Sequence, residues 1–227
     1  MAFLEIACFN AKSAAMAATA GADRVELCSN AAAGGVTPPS AWLSEVKAQV
    51  TTPVFTMIRP RPGNFRYSDA EFEEMRRSIA AFRSEADGFV FGLLDGDGRV
   101  DVARTAELVR LASPLPCTFH RAFDETADLM QALEDVVASG CHAILSSGGA
   151  SDAAAGADVL RQLVEKAAGR IVVIAGGGIR LSNLQHICVT SGVSVCHSSA
   201  LAANSPTPDD REMRHMKAML SQSGNER

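Results

Sequence analysis

The chain has no excess of basic charge: 21 Lys and Arg stand against 26 Asp and Glu, for a formal charge of −5. Nucleic acids and anionic membrane surfaces both select basic faces, so neither is an expected partner. No apolar run approaches the roughly 20 residues that span a bilayer. The opening MAFLEIACFN carries no basic leader, so no signal peptide is expected. Six cysteines scattered over 227 residues do not make a disulfide framework, and the thiols are expected to be reduced, in the cytoplasm. There is no C-x-x-C and no His-x-x-x-His, which excludes the usual structural zinc spacings. Walker, nucleophile-elbow and kinase motifs are missing. FNAKSA (9–14), after the first predicted strand, is no Gly-rich dinucleotide turn. No predicted strand ends in lysine, which excludes a Schiff-base aldolase mechanism.

What is present is a repeated phrase: a helical pattern, a small turn with Gly or Ala, then an apolar strand. TAGADRVELC (19–28), SEADGFVFG (84–92), SGCHAILSSGG (139–149) and SGVSVCHSS (191–199) are four instances. Strands are predicted over 3–8, 24–29, 53–59, 88–94, 116–123, 143–148, 170–176 and 195–200, with helices between them. Thr37-Pro38 reads as an N-cap followed by a proline at the first helical position. Ser68–Glu71 and Ser182–Gln185 read as capping boxes. DGDGRVD (95–101) lacks the later ligands of a calcium loop and reads as an exposed turn. Strict alternation implies parallel strands, and eight units in this length predict a single-domain (β/α)8 TIM barrel over 1–227. One more helix is expected over 209–220, with SQSGNER after it frayed.

In such a barrel, chemistry sits at the C-terminal strand ends, and polar residues converge there. Glu5, Glu26, His120 and Asp124 are the candidates for proton transfer. Period-2 alternation along strand 5 puts Thr118, His120 and Ala122 on the inner face and Arg121 on the other, within reach of a carboxylate. Two carboxylates inside a barrel must be paired or neutralised, and Arg59 is the expected partner. Arg59 and Arg61 in MIRPRPGNF offer bidentate forks to a carboxylate or phosphate. Ser146, Ser147, Gly148, Gly176, Gly177, His197 and Ser198 follow strands 6 to 8, where glycine amides and helix N-termini form anion nests. Cys8 and Cys28 end adjacent strands, so their thiols are able to approach, and paired soft thiolates favour Cu(I). The other four cysteines read as packing residues.

Taken together, LEIACF, AGADRVELCSN, GGVTP, PVFTMIRPRPGNFRYSD, FVFGLLDGDGRVD, TFHRAFD, ILSSGGA and IAGGG resemble the CutC family, named for copper homeostasis. The resemblance runs from about residue 3 to 200. It implies a (β/α)8 barrel, a homo-oligomer, and Cu(I) held by Cys8 and Cys28. It also covers Glu5, Arg24, Glu26, Arg59, Arg61, His120, Arg121 and Asp124, few of which are natural Cu(I) ligands. Two readings follow. One is a copper homeostasis protein that binds Cu(I) through the cysteine pair. The other is a lyase or isomerase acting on a small phosphate- or carboxylate-bearing metabolite.

Overall fold

A computed structural model describes residues 2–202 and 205–222. Eight parallel strands close into one barrel in sequence order: β1 Phe3–Cys8, β2 Arg24–Leu27, β3 Val54–Met57, β4 Gly88–Phe91, β5 Cys117–Phe119, β6 Ala143–Ser146, β7 Val172–Gly176 and β8 Val195–Ser198. The ladder is sealed by β1 on β8, with Glu5 opposite His197. Around it run α1 Ala11–Thr19, α2 Ser40–Lys47, α3 Asp69–Phe82, α4 Val102–Ala112, α5 Leu129–Ala138, α6 Ala157–Ala167, α7 Leu181–Ser191 and α8 Asp210–Gln222. The expected tail helix is α8, the eighth of the ring; the frayed end foreseen beyond it includes 223–227, outside the described residues.

Strand parity sorts the core into two compartments. Leu4, Ile6, Val25, Leu27, Phe89, Phe91 and Phe119 face the helices. Their neighbours in sequence face the barrel axis, where Phe55, Met57 and Val90 make one apolar cluster and Ala143, Leu145 and Ile174 another. The helices answer with stripes at helical spacing, such as Phe72, Met75, Ile79 and Phe82 on α3. Three interior glycines make room for bulky neighbours. A Cβ on Gly88 would lie 2.5 Å from the Phe55 ring, on Gly92 2.4 Å from the His120 ring, and on Gly176 2.5 Å from Leu145.

Most predicted strands overran their C-terminal ends, since the polar residues there leave the ladder for other partners. The largest error is the strand over 116–123. The ladder stops at Phe119, His120 Nδ1 accepts the Ala122 N–H at 3.2 Å, and Arg121–Glu125 winds into a 3-10 turn. Period-2 alternation therefore does not extend to Arg121 and Asp124. The Ser68–Glu71 capping box is present. The other two helix starts shift. Thr37 caps nothing: its Oγ1 accepts the Arg59 N–H at 2.8 Å, and α2 starts at Ser40. At α7 the side chain that caps is Asn183, whose Oδ1 accepts the Arg180 N–H at 2.8 Å.

Candidate functional site

The C-terminal mouth of the barrel opens into a cavity of about 340 Å³, a size that suits a small metabolite. Glu26, His120 and His197 reach it from β2, β5 and β8, and Arg59, Arg121 and Arg180 from the loops. Beneath it lies a charged floor. Glu5, fully inside the barrel, pairs through Oε2 with Arg24 Nε and through Oε1 with His197 Nδ1 at 2.6 Å. Burial alone would raise the Glu5 carboxyl, but His197 and Arg24 hold it down at about 2. Arg24 is wedged between the rings of Phe55 and Phe3, 4.2 and 5.4 Å from their centroids. The expected neutraliser, Arg59, is not the partner; Arg24, inside on the next strand, is.

Glu26 is buried beside this pair. Its carboxyl is raised by burial and by the nearby Glu5 charge. Its Oε1 accepts the Cys28 thiol at 3.2 Å, and its Oε2 has no hydrogen-bond partner among the described residues. His197 is pulled down by burial, yet the carboxylates of Glu26 and Glu5 bring it out above its ordinary value. His120 goes the other way. Burial, then the Arg59 charge, lowers it to about 3, so it is neutral. Its Nδ1 is used by the Ala122 amide, which leaves Nε2 buried and unpartnered among the described residues. The Phe65 ring, 4.8 Å away, holds the imidazole in place.

The arginines divide. Arg59 is spent on the fold: its guanidinium donates to the carbonyls of Ala33, Gly35 and Gly63 at 2.8–2.9 Å and lies over Phe65. It lines the cavity and locks the loops after β2 and β3. Arg61 lies outside the lining; it pairs with Glu71, donates to the Asn64 and Arg66 carbonyls, and stacks over Tyr67. Sequence reasoning placed Arg121 on the face away from the mouth, whereas it lines the cavity together with Arg59 and Arg180. Its Nε holds Asp124 and its Nη2 the Ser147 hydroxyl, while Nη1 lies over Gly177. The missed signal was the break in alternation after His120.

The loop after β6 is an anion nest whose occupant is internal. The Asp124 carboxylate accepts from Ser146 Oγ at 2.6 Å, from the Ser147 and Gly149 amides, and from Ser147 Oγ. Asp124, Ser146, Ser147 and Gly148 thus serve one another and do not line the cavity. Gly176 is a packing position against Leu145. The second nest, after β7, is open to the cavity. Gly177 and Gly178 have φ of +102° and +67°, a region glycine enters without strain. Among the described residues the amides of Gly177, Gly178 and Ile179 donate to no protein acceptor. Arg180 and the start of α7 follow directly, adding the positive end of a helix. Ser198 lines the cavity but its hydroxyl donates to the Ile179 carbonyl at 2.7 Å, fixing the loop. Gly178 and Ser199, at the predicted ends of strands 7 and 8, also line the cavity, and Arg180 does so without having been singled out in the sequence.

Cys8 and Cys28 end up on opposite faces of the sheet. Cys8 packs with Leu4 and Ile6 under the helices, its Sγ toward the Ile6 carbonyl at 3.6 Å. Cys28 packs inside with Phe55 and Met57. Burial pushes both thiols above their ordinary value, and the Glu26 charge adds to each. In this arrangement the pair does not fit Cu(I), which needs two thiolates aimed at one point. The thiols that do meet are Cys188 and Cys196, 3.3 Å apart. No described helix is long and apolar enough to cross a membrane.

The chain matches the profile of the CutC family over residues 2–202. It is 46% identical over 198 residues to a human protein named copper homeostasis protein cutC homolog, covering 87% of this chain and 72% of that one. A family protein CutC of Chromobacterium violaceum is 45% identical over 198 residues, covering 87% and 80%. The crystal structure of a CutC protein from Streptococcus agalactiae superposes with a TM-score of 0.81 at 32% identity, covering 88% of this chain and 99% of that one.

Proposed function

This chain belongs to the copper-homeostasis family CutC, and from that premise we propose that its barrel is an enzyme, a lyase or isomerase acting on a small phosphate- or carboxylate-bearing metabolite. The observation that carries the reading is the open nest after β7, with Arg121 Nη1 lying over Gly177. An anionic group seated there meets backbone amides, a guanidinium and a helix N-terminus. The rest of the substrate then extends across the mouth toward His120 and Glu26. His120 is neutral and its Nδ1 accepts the Ala122 N–H, so its proton sits on Nε2, which offers a hydrogen-bond donor to the mouth. Glu26, with one bare oxygen, faces the same space.

The experiment is calorimetry with inorganic phosphate and acetate as probes. Phosphate is expected to bind at one site per chain, and Arg121→Gln, checked for its fold by circular dichroism, to weaken it about tenfold or more. Phosphate binding that is absent, or indifferent to Arg121, overturns the reading. The Cu(I) reading is supported by the names of the relatives. It requires Cys8 and Cys28 to turn toward each other and lose two protons. Cu(I) titration of the reduced protein against a competing chelator tests it: one tight equivalent, lost in Cys8→Ser and Cys28→Ser, favours copper over the enzyme.

A further inference from the structure

Glu26 is 3% exposed and keeps one carboxylate oxygen, Oε2, without a hydrogen-bond partner among the described residues. A bare carboxylate oxygen in a protein interior is unfavourable and calls for a group to satisfy it. Glu5 on β1 and His197 on β8 stand beside it, and one ligand atom from each of the three lies within 4.8 Å of the others. The donors come from three consecutive strands of the closed sheet, which hold them rigidly. Two of the three, Glu26 and His197, line the cavity, so the cluster is reached from the mouth.

The two carboxylates share one permanent cation, Arg24, on Oε2 of Glu5, while Oε1 of Glu5 meets His197 Nδ1 at 2.6 Å. An ion bound here takes the place of the proton between Glu5 and His197 and reaches the bare oxygen of Glu26. We infer that Glu5, Glu26 and His197 bind one divalent cation of the borderline class, such as zinc or cobalt, at the floor of the mouth. Two carboxylate oxygens and one imidazole nitrogen suit such ions, whereas Cu(I) selects thiolates. The inference rests on the enzyme reading only for the ion's role: it holds a substrate oxygen while His120 handles the proton.

The test titrates metal-free full-length protein with Co(II), followed by visible absorption, and separately with phosphate by calorimetry. One equivalent of Co(II) is expected, with d–d bands and no thiolate charge-transfer band, unchanged in the Cys8→Ser/Cys28→Ser double variant. Glu26→Gln, which nearly keeps the shape, is expected to weaken binding at least about tenfold, and His197→Ala to abolish it. Failure of the wild-type protein to bind Co(II), binding indifferent to Glu26→Gln and His197→Ala, or binding lost with the cysteines each overturns the inference. Phosphate binding without Co(II) binding removes the ion and leaves the enzyme reading; Co(II) binding without phosphate binding does the reverse.

Discussion

His120 and Glu5 show how one interior treats two titratable groups. His120 has a depressed value, about 3 against 6.5, so the unfolded chain takes up a proton before the folded one does. Its contribution to stability is complete above 6.5 and is lost as pH falls from there toward 3. Glu5 acts in the same direction lower down, between 4.5 and about 2. Glu26 and His197, both raised, act in the opposite sense, so the His120 share is read as the difference between wild type and His120→Asn in urea unfolding across pH 7 to 4. His120→Asn should flatten the part between 6.5 and 4.5, a slope of up to about 1.4 kcal/mol per pH unit. An unchanged slope in the variant contradicts the buried neutral imidazole. Arg24 is the other residue on which the floor depends. Arg24→Met leaves Glu5 with His197 alone and is expected to lower stability by about 3 kcal/mol. Adding Glu5→Gln should recover a large part of it, which a double-mutant comparison in urea measures.

Between residue and barrel stand the loops, and here one carboxylate organises a whole element. Asp124 sits in the 3-10 turn after β5 but satisfies amides and hydroxyls of the loop after β6. It also anchors Arg121 by a 2.8 Å bond to Nε. Asp124→Asn keeps the shape and removes the charge. The expected result is a loss of about 2 kcal/mol and faster hydrogen exchange at the Ser147 and Gly149 amides, with other strands unaffected. Exchange that speeds up everywhere would instead mean a global effect. Strand β4 makes a separate point. It ends at Phe91, and Gly92 just beyond it is small because the His120 ring occupies the place of its side chain. Gly92→Ala is expected to destabilise by about 1–3 kcal/mol and to displace the His120 ring signals in an NMR spectrum.

At the scale of the whole molecule, the barrel separates two tasks by the two faces of its sheet. The outer layer of aliphatic and aromatic side chains holds the helices and carries most of the buried apolar surface. The inner layer is apolar at positions such as Phe55, Met57, Leu145 and Ile174 and charged at Glu5, Arg24 and Glu26, and above Arg24 and Glu5 it opens into the cavity. A ligand that seats at the mouth touches the loops after β2, β3, β5, β7 and β8 at once, so binding should stabilise the entire fold. Phosphate at about 100 times its dissociation constant is expected to add about 2.7 kcal/mol, seen as a rise in Tm that Arg121→Gln removes. A rise that persists in that variant places the anion elsewhere.

The sequence by itself determined the architecture. Eight apolar runs alternating with helical patterns leave few other ways to bury both faces of a parallel sheet, so the (β/α)8 barrel was legible from period and spacing alone. Of the residues that sequence reasoning placed at the mouth, Glu26, Arg59, His120, Gly177, His197 and Ser198 line the cavity, whereas Arg61, Asp124, Ser146, Ser147, Gly148 and Gly176 do not. Tertiary structure decided what those residues do. Arg24, not Arg59, neutralises Glu5, since adjacency across the ladder depends on register. Asp124 turned out to occupy the nest after β6, since a 3-10 turn replaced the predicted strand. For Cys8 and Cys28 period 2 already implied opposite faces, since with Glu5 and Cys28 inward Cys8 faces inward only through a local irregularity, and Cys8 packs with the outer cluster. Pairings among polar side chains are set by distances between segments far apart in the chain. Period and composition carry no record of those distances.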